Sequence, residues 1–343
     1  MHVPDGFIDA PMSAATGVVA AGAIAVSLRG ARRELDERTA PLAGLVAAFI
    51  FAVQMLNFPV AAGTSGHLLG GALAAILVGP YTGVLCVSVV LLMQGILFAD
   101  GGLTALGVNI TDMAITTTVV AYAVFRGLVT ILPRSRRSIT AASFVAALLS
   151  VPAAALVFTL LYALGGTTDV SLGKVATAMI GVHVLIGVGE AAITALTVGA
   201  VIAVRPDLVH GARGLEQRLK LRVDGELVDA PRPLEPVAAR DTSRRQLWIG
   251  GLVASLVLAG FVSFYASSNP DGLEKVAADQ GIDRQTKEHA SADSPLADYG
   301  VRDVEDARLS GGLAGVIGVG VTVVAGTGVF WAVRRRRSTS QVA

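Results

Sequence analysis

The sequence opens Met1-His2-Val3-Pro4-Asp5-Gly6-Phe7-Ile8-Asp9. The α-amine of Met1, the backbone nitrogen of His2 and its imidazole lie on neighbouring atoms of one short segment. They can present three nitrogens in a plane around one metal ion, once the amide gives up its proton. Planar nitrogen sets suit Ni(II) or Cu(II), with Co(II) close behind. The plain alternative is an exposed terminal histidine with no task. Two features favour a retained and used terminus. No Lys or Arg precedes Arg29, and Pro4, Asp5 and Gly6 stand where a leader would have its apolar core. His2 is also too large to promote removal of the initiator methionine. A fourth nitrogen must come from elsewhere in the chain.

His67 is the candidate. It ends the stretch Asn57-Phe58-Pro59-Val60-Ala61-Ala62-Gly63-Thr64-Ser65-Gly66-His67, in which the glycines allow close backbone approach. Histidine is the commonest metal ligand and is costly at membrane depth unless paired. The competing expectation is a ring satisfied by a backbone carbonyl at a helix start. Alongside the terminal segment, Met1, His2 and His67 make an all-nitrogen site.

These residues must be held by a membrane protein. Of the 343 residues 53% are hydrophobic and 15% charged, and the mean hydropathy is +0.65. That excludes an ordinary soluble domain. The net charge of +1 says nothing on its own, because its distribution matters more; no nucleic-acid partner is expected, and the single cysteine, Cys86, excludes an intrachain disulfide and a cysteine-based zinc cluster. Nine apolar segments are expected to form helices, at about 11–28, 41–57, 67–78, 81–98, 104–125, 139–164, 175–204, 247–265 and 312–333. The third, beginning at His67, is short, and a short or broken span often marks a site reached from one side. The expected fold is an all-α, polytopic membrane helix bundle: seven spans plus a two-span C-terminal hairpin, in multi-pass contact with the lipid of the cell membrane.

Basic residues orient it. Arg29, Arg32, Arg33 and Arg38, then Arg126, Arg134, Arg136 and Arg137, the nine basic residues from Arg205 to Arg245, and Arg334 to Arg337 fall on one side. Lys174, Lys275, Arg284, Lys287, Arg302 and Arg308 fall on the other. The expectation is N-terminus outside and C-terminus inside, with His2 and His67 on the outer side. Residues 1–205 form the capture domain. Residues 206–245 read as a cytosolic linker, partly helical near Ala212–Leu221, with His210 solvated. Residues 246–343 form the hairpin, with an acidic, partly flexible outer loop over 267–310.

The motifs MHVPDGFID, NFPVAAGTSGHLLGG and HVLIGVGEAAITA resemble the substrate-capture component of cobalt and nickel energy-coupling factor transporters, the CbiM/NikM type, over residues 1–205. The resemblance implies a terminal loop folded into a seven-helix bundle. It also implies metal held by the Met1 amine, the backbone and imidazole nitrogens of His2, and His67. Asn57, Thr64 and Ser65 would support these ligands or hold their loop. Pro270-Asp271-Gly272-Leu273-Glu274 resembles the PDGLE domain, related to the two-span CbiN-type partner and here fused. The cargo so implied is Co2+ or Ni2+. The nitrogen set favours nickel and the overall match leans to cobalt. The hairpin carries only His289 among its imidazoles and no cysteine, so its expected work is to touch the outer mouth of the bundle. No phosphate-cradling loop is present, so active transport needs a coupling transmembrane subunit and ATPase subunits on separate chains.

Four further polar residues lie within expected spans: Asn109, Asp112, His183 and Glu190. His183 and Glu190 are seven apart on one helix face, and Asn109 and Asp112 share another. They are candidates for an intramembrane polar network. Two other function classes stay open: an intramembrane metalloenzyme using His183 and Glu190, and a passive metal receptor or channel. Against the enzyme, the spacing does not match His-Glu-x-x-His, and no Gly-x-Ser-x-Gly is present.

Overall fold

The architecture comes from a computed structural model, which describes residues 1–36, 39–61, 63–213, 220–223, 226–229 and 241–339. Seven helices build the first part: α1 (Ala10–Glu34), α2 (Thr39–Gln54), α3 (Gly71–Val78), α4 (Pro80–Leu97), α5 (Leu106–Ile131), α6 (Arg136–Gly165) and α7 (Leu172–Val204). The C-terminal part has α8 (Asp241–Gly260), the short α9 (Gly272–Gln280) and α10 (Ala307–Thr339). The chain is therefore a polytopic helical membrane protein. Among the described residues, seven helices are long and apolar enough to cross a bilayer: α1, α4, α5, α6, α7, α8 and α10. Their outward faces carry exposed Val, Leu and Ile, as at Val18, Leu164 and Leu196, where lipid is the solvent.

Two expected spans differ. The second, α2, has 16 residues, about 24 Å at 1.5 Å per residue, and all but two of its side chains are buried. The third does not begin at His67. The chain from Ser65 to Gly70 is non-helical, and α3 covers only eight residues, all buried. The reason is local: Phe58–Pro59 and Ser65–Gly66 pair as a two-rung antiparallel ribbon, β1 and β2. Gly70 then takes φ 91°, a left-handed turn that delays the helix to Gly71.

The hairpin is packed onto the bundle. α10 runs along α2 with its glycines at the seam. A Cβ on Gly318 would come within 2.2 Å of the Phe51 ring, and one on Gly44 within 2.4 Å of Thr327 Oγ1. Such contacts need the smallest side chain and are the usual means of helix association in lipid. α10 is thus what covers the short α2. Cys86 is buried, with its Sγ 3.4 Å from the Ala43 carbonyl, a packing role.

The acidic loop differs from the flexible segment expected. Asp298 N–H donates to the Phe98 carbonyl at 2.9 Å, Ser294 Oγ to the Leu97 carbonyl at 2.5 Å, and Lys287 N–H to the Asp5 carbonyl at 2.9 Å. Tyr299 stacks on Phe98 at 4.9 Å between centroids, a contact worth roughly 0.5–1.5 kcal/mol beyond its buried area. Polar composition here reflects backbone and side-chain bonds to the bundle mouth. His210 is also not solvated. It is half-buried, its Nε2 3.3 Å from the Tyr122 hydroxyl, and burial lowers its pKa to about 4. The helix expected near Ala212–Leu221 is not found where the chain is described: Ala212 ends a 3-10 turn, and Lys220–Val223 pairs with Glu226–Asp229 as strands β3 and β4. The remainder of that stretch lies outside the described residues, as does Arg38.

Candidate metal centre

Residues 1–9 thread into the mouth of the bundle. Met1, Val3, Phe7 and Ile8 are all buried, so the segment is anchored as a core element. Its backbone is held at Val3, Asp5, Gly6, Phe7 and Asp9. Val3 is held at both ends by one side chain: its N–H donates to Asn109 Oδ1 at 2.7 Å and its carbonyl accepts from Asn109 Nδ2 at 3.1 Å. The same carbonyl accepts from Gly102 N–H. Asp5 takes the Thr104 N–H and hydroxyl at 2.8 and 2.5 Å. Asp9 caps α1 by accepting from Met12 N–H at 2.8 Å, and its own N–H donates to the Gly165 carbonyl at 2.7 Å.

This seating brings the sequence-derived ligands together. The Met1 amino nitrogen lies 2.5 Å from His67 Nε2. The His2 and His67 rings stack at 5.1 Å between centroids. His67 Nδ1 donates to the Leu68 carbonyl at 3.0 Å, which leaves Nε2 as a bare lone pair facing the amine. One ring nitrogen of His67 thus meets a backbone carbonyl, though not at a helix start, and the other meets the Met1 amine. His2 is set by a relay. Tyr299 hydroxyl donates to Asp100 Oδ2 at 2.6 Å, Gln94 Nε2 donates to that hydroxyl at 2.9 Å, and Gln94 Oε1 accepts from His2 Nε2 at 3.1 Å. With the proton on Nε2, Nδ1 is the unprotonated nitrogen. It lies 3.3 Å from Asp100 Oδ1. Partners of this kind fix the tautomer a metal needs. Burial pushes the His2 imidazole down to about 4, against the Asp100 carboxylate, which pulls the other way. The His2 backbone N–H has no acceptor among the described residues, so that nitrogen is also open.

The loop bearing His67 is held from below. Glu190 of α7 accepts the Leu69 N–H at 2.6 Å and the Gly70 N–H at 3.1 Å, and Gln54 Nε2 donates to the Leu69 carbonyl at 3.1 Å. Asn57, Thr64 and Ser65 sit around the entrance. Ser65 N–H donates to the Pro270 carbonyl at 2.9 Å and its Oγ to the Asn269 carbonyl at 2.8 Å. The Asn57 carbonyl accepts from Ser267 N–H at 2.7 Å, and Thr64 closes the 60–64 turn. Asn57 and Ser65 thus tie the hairpin to the bundle.

The four intramembrane polar residues are not one hydrogen-bonded network. Asn109 serves Val3, and Glu190 serves Leu69 and Gly70. His183 donates from Nδ1 to its own helix at the Met179 carbonyl, 2.7 Å away. Asp112 is buried, and neither carboxylate oxygen has a hydrogen-bond partner among the described residues. Both Asn109 and Asp112 are buried, and Asp112 lies in a π-helical stretch, Ile110–Thr116, inside α5.

Sequence reasoning missed one residue at the centre. Asp271, of the Pro-Asp-Gly-Leu-Glu stretch, lies with Oδ2 2.6 Å from the Met1 amine and 3.5 Å from His67 Nε2. Burial alone would push its carboxyl up, but the Met1 ammonium and His67 outweigh that and hold it well below the usual carboxylate range. Donor atoms of His2, His67 and Asp271 all lie within 4.8 Å of one another. Gly272 is what lets the carboxylate in: a Cβ there would meet Ile186 and Val182 at 2.8 Å and the His183 ring at 3.1 Å. The signal was present, because Asp271 follows the eighth span on the same expected side as His2. A cavity of about 610 Å³ lined by His2, His67, Asp100, Asp271 and Tyr299 adjoins the cluster.

Comparison with known proteins gives the family. The family model described as the cobalt uptake substrate-specific transmembrane region matches residues 2–208, and the PDGLE domain model matches residues 245–335. A putative fused nickel transport protein, NikMN, of Archaeoglobus fulgidus is 38% identical over 70% of this chain and 82% of its own length. The cobalt transport protein CbiM of Geobacter sulfurreducens is 32% identical over 82% of this chain and 79% of its own. A crystal structure of a truncated transition metal transporter superimposes with a TM-score of 0.53 at 26% identity, covering 59% of this chain and 99% of that one. The chain belongs to the CbiM family of cobalt-uptake transmembrane proteins and carries a PDGLE domain at its C-terminal end.

Proposed function

We propose that this chain is the substrate-capture subunit of an energy-coupling factor importer for Co2+ or Ni2+. The ion is held by the Met1 amine, the backbone nitrogen and Nδ1 of His2, and Nε2 of His67. The observation that carries this reading is the 2.5 Å approach of the Met1 nitrogen to His67 Nε2 inside a buried mouth. An ammonium hydrogen there stands in for the metal, bridging two atoms that would both be ligands.

The transport names of the relatives support a carrier rather than an enzyme. Glu190, the base of the alternative enzymatic reading, already accepts two backbone N–H groups. The end carrying the site is the outer end in this reading. Arg126, Arg134, Arg136 and Arg213 gather around the far end of the bundle, beyond the 33-residue α7, which suits a cytosolic face. The coupling subunit and ATPase subunits would act on that face.

The test is an added residue before Met1. An N-terminal extension converts the amine to an amide, removes one ligand and lacks room in the buried mouth. Binding of Co2+ or Ni2+ measured by calorimetry should be lost, and His67→Ala should lose it too while inserting and purifying normally. Stoichiometric tight binding by either protein overturns the assignment. Metal analysis after growth on equal trace cobalt and nickel distinguishes the two cargoes.

A further inference from the structure

The hairpin reaches the ligand cluster with one atom. The Met1 nitrogen, His67 Nε2 and Asp271 Oδ2 form a triangle with edges of 2.5, 2.6 and 3.5 Å. A triangle that small has a point within about 2 Å of all three corners, which is the bond length of a first-row divalent metal to nitrogen or carboxylate oxygen, roughly 2.0–2.2 Å. The carboxylate is enclosed, with its side chain 10% exposed. A cationic group, the Met1 ammonium, already sits between it and His67.

The two oxygens of Asp271 have separate tasks. Oδ1 accepts the Glu274 N–H at 2.9 Å and so caps α9, while Glu274 Oε2 accepts the Asp271 N–H at 2.9 Å. This reciprocal cap fixes the side-chain rotamer. Oδ2 is then aimed at the amine and at His67. The main chain before it is clamped to the bundle through Ser65 and Asn57. The oxygen therefore arrives on a rigid support, as a ligand must.

We propose that Asp271 is a fifth ligand to the transported ion, supplied by the fused hairpin and added to the four nitrogens of Met1, His2 and His67. The inference rests on that nitrogen site. It makes the hairpin a structural part of the capture site. Four nitrogens in a plane favour Ni(II), whereas an added carboxylate oxygen moves the site from a strictly planar set to one of higher coordination, which Co(II) accepts readily.

The experiment uses the full-length protein with Asp271→Asn and Asp271→Ser. Both replacements are good helix N-caps, so α9 keeps its start while the anionic oxygen is lost. Calorimetry with Co2+ and Ni2+ is paired with the absorption spectrum and magnetic state of the Ni2+-loaded protein. Affinity for Co2+ should fall roughly tenfold or more. The Ni2+ complex should change from a paramagnetic, higher-coordinate form in the wild type to a diamagnetic planar one in the variants. Unchanged or raised affinity overturns the proposal. So does a fall in affinity with an identical Ni2+ spectrum, because that marks a counter-charge and not a ligand. His67→Ala is measured in parallel. If it binds metal like the wild type, the nitrogen site itself is wrong. If it loses binding while Asp271→Asn behaves as wild type, only the fifth ligand is wrong.

Discussion

The Met1 ammonium is buried, and an unpaired charge in such a place would cost several kcal/mol. Asp271 and the His67 lone pair are what make it tolerable. In the proposed site, chelation would exchange that ammonium for a metal ion and would also remove the His2 amide proton, so two protons would leave for each ion bound. The His2 ring does not join this count above pH 5, since burial lowers its pKa to about 4. Metal affinity should therefore fall as pH falls, by roughly hundredfold per unit between about pH 7 and 5. Competition titrations with a chromophoric chelator at several pH values measure this. A flat profile would point instead to a carboxylate site such as Asp5 or Asp9. The same lowering bears on folding. An unfolded His2 takes up its proton near 6.5 and the seated one near 4. The unfolded segment binds more protons in that window, so seating of residues 1–9 weakens as the pH falls through it.

At the scale of elements, the loop bearing His67 is set by groups outside the proposed ligand set. Glu190 receives two backbone N–H groups from Leu69 and Gly70, just after His67. Glu190→Gln keeps the volume but replaces one acceptor oxygen with a donor that faces one of those N–H groups. Each lost charged bond at a buried site is worth about 1.5–3 kcal/mol. The loop should shift, and metal affinity should drop roughly tenfold or more, read by the same titration, with α7 intact by circular dichroism. Affinity equal to wild type would remove Glu190 from any positioning role. Much of this scale was legible in the sequence. The apolar runs located the seven described helices long enough to cross a bilayer and the shorter α2 and α3, and two motifs drew out Met1, His2 and His67, which the fold brings together. Three features were not legible, for physical reasons. The late start of α3 depends on the β1–β2 ribbon and a left-handed Gly70. The π stretch in α5 breaks a periodicity that any regular reading assumes. Asp271 is a carboxylate in a Pro-Asp-Gly run, which reads equally well as a turn.

At the scale of the whole molecule, the hairpin and the bundle share one interior. α2 is too short to span a bilayer of about 30 Å unaided, and its burial is completed by α10 through the contacts at Gly318 and Gly44. Above that seam, Tyr299 continues the contact by stacking on Phe98 and by completing the relay that fixes the His2 tautomer. The acidic loop and α10 thus meet at Phe98, beside the relay to His2. Gly318→Leu tests this coupling far from the metal. Its side chain would have to occupy the space of the Phe51 ring, forcing α10 away from α2, and overpacking of this kind typically costs about 1–3 kcal/mol. The displacement should carry Tyr299 and Asp271 off the mouth. The expected outcome is a lower thermal midpoint in detergent together with weaker Co2+ and Ni2+ binding, although no residue of the site has changed. Lower stability with wild-type affinity would mean that the hairpin anchors the fold independently of the metal centre. A truncated chain ending near Arg205 should show the same pair of losses in stronger form, because it exposes α2 and deletes the carboxylate at once.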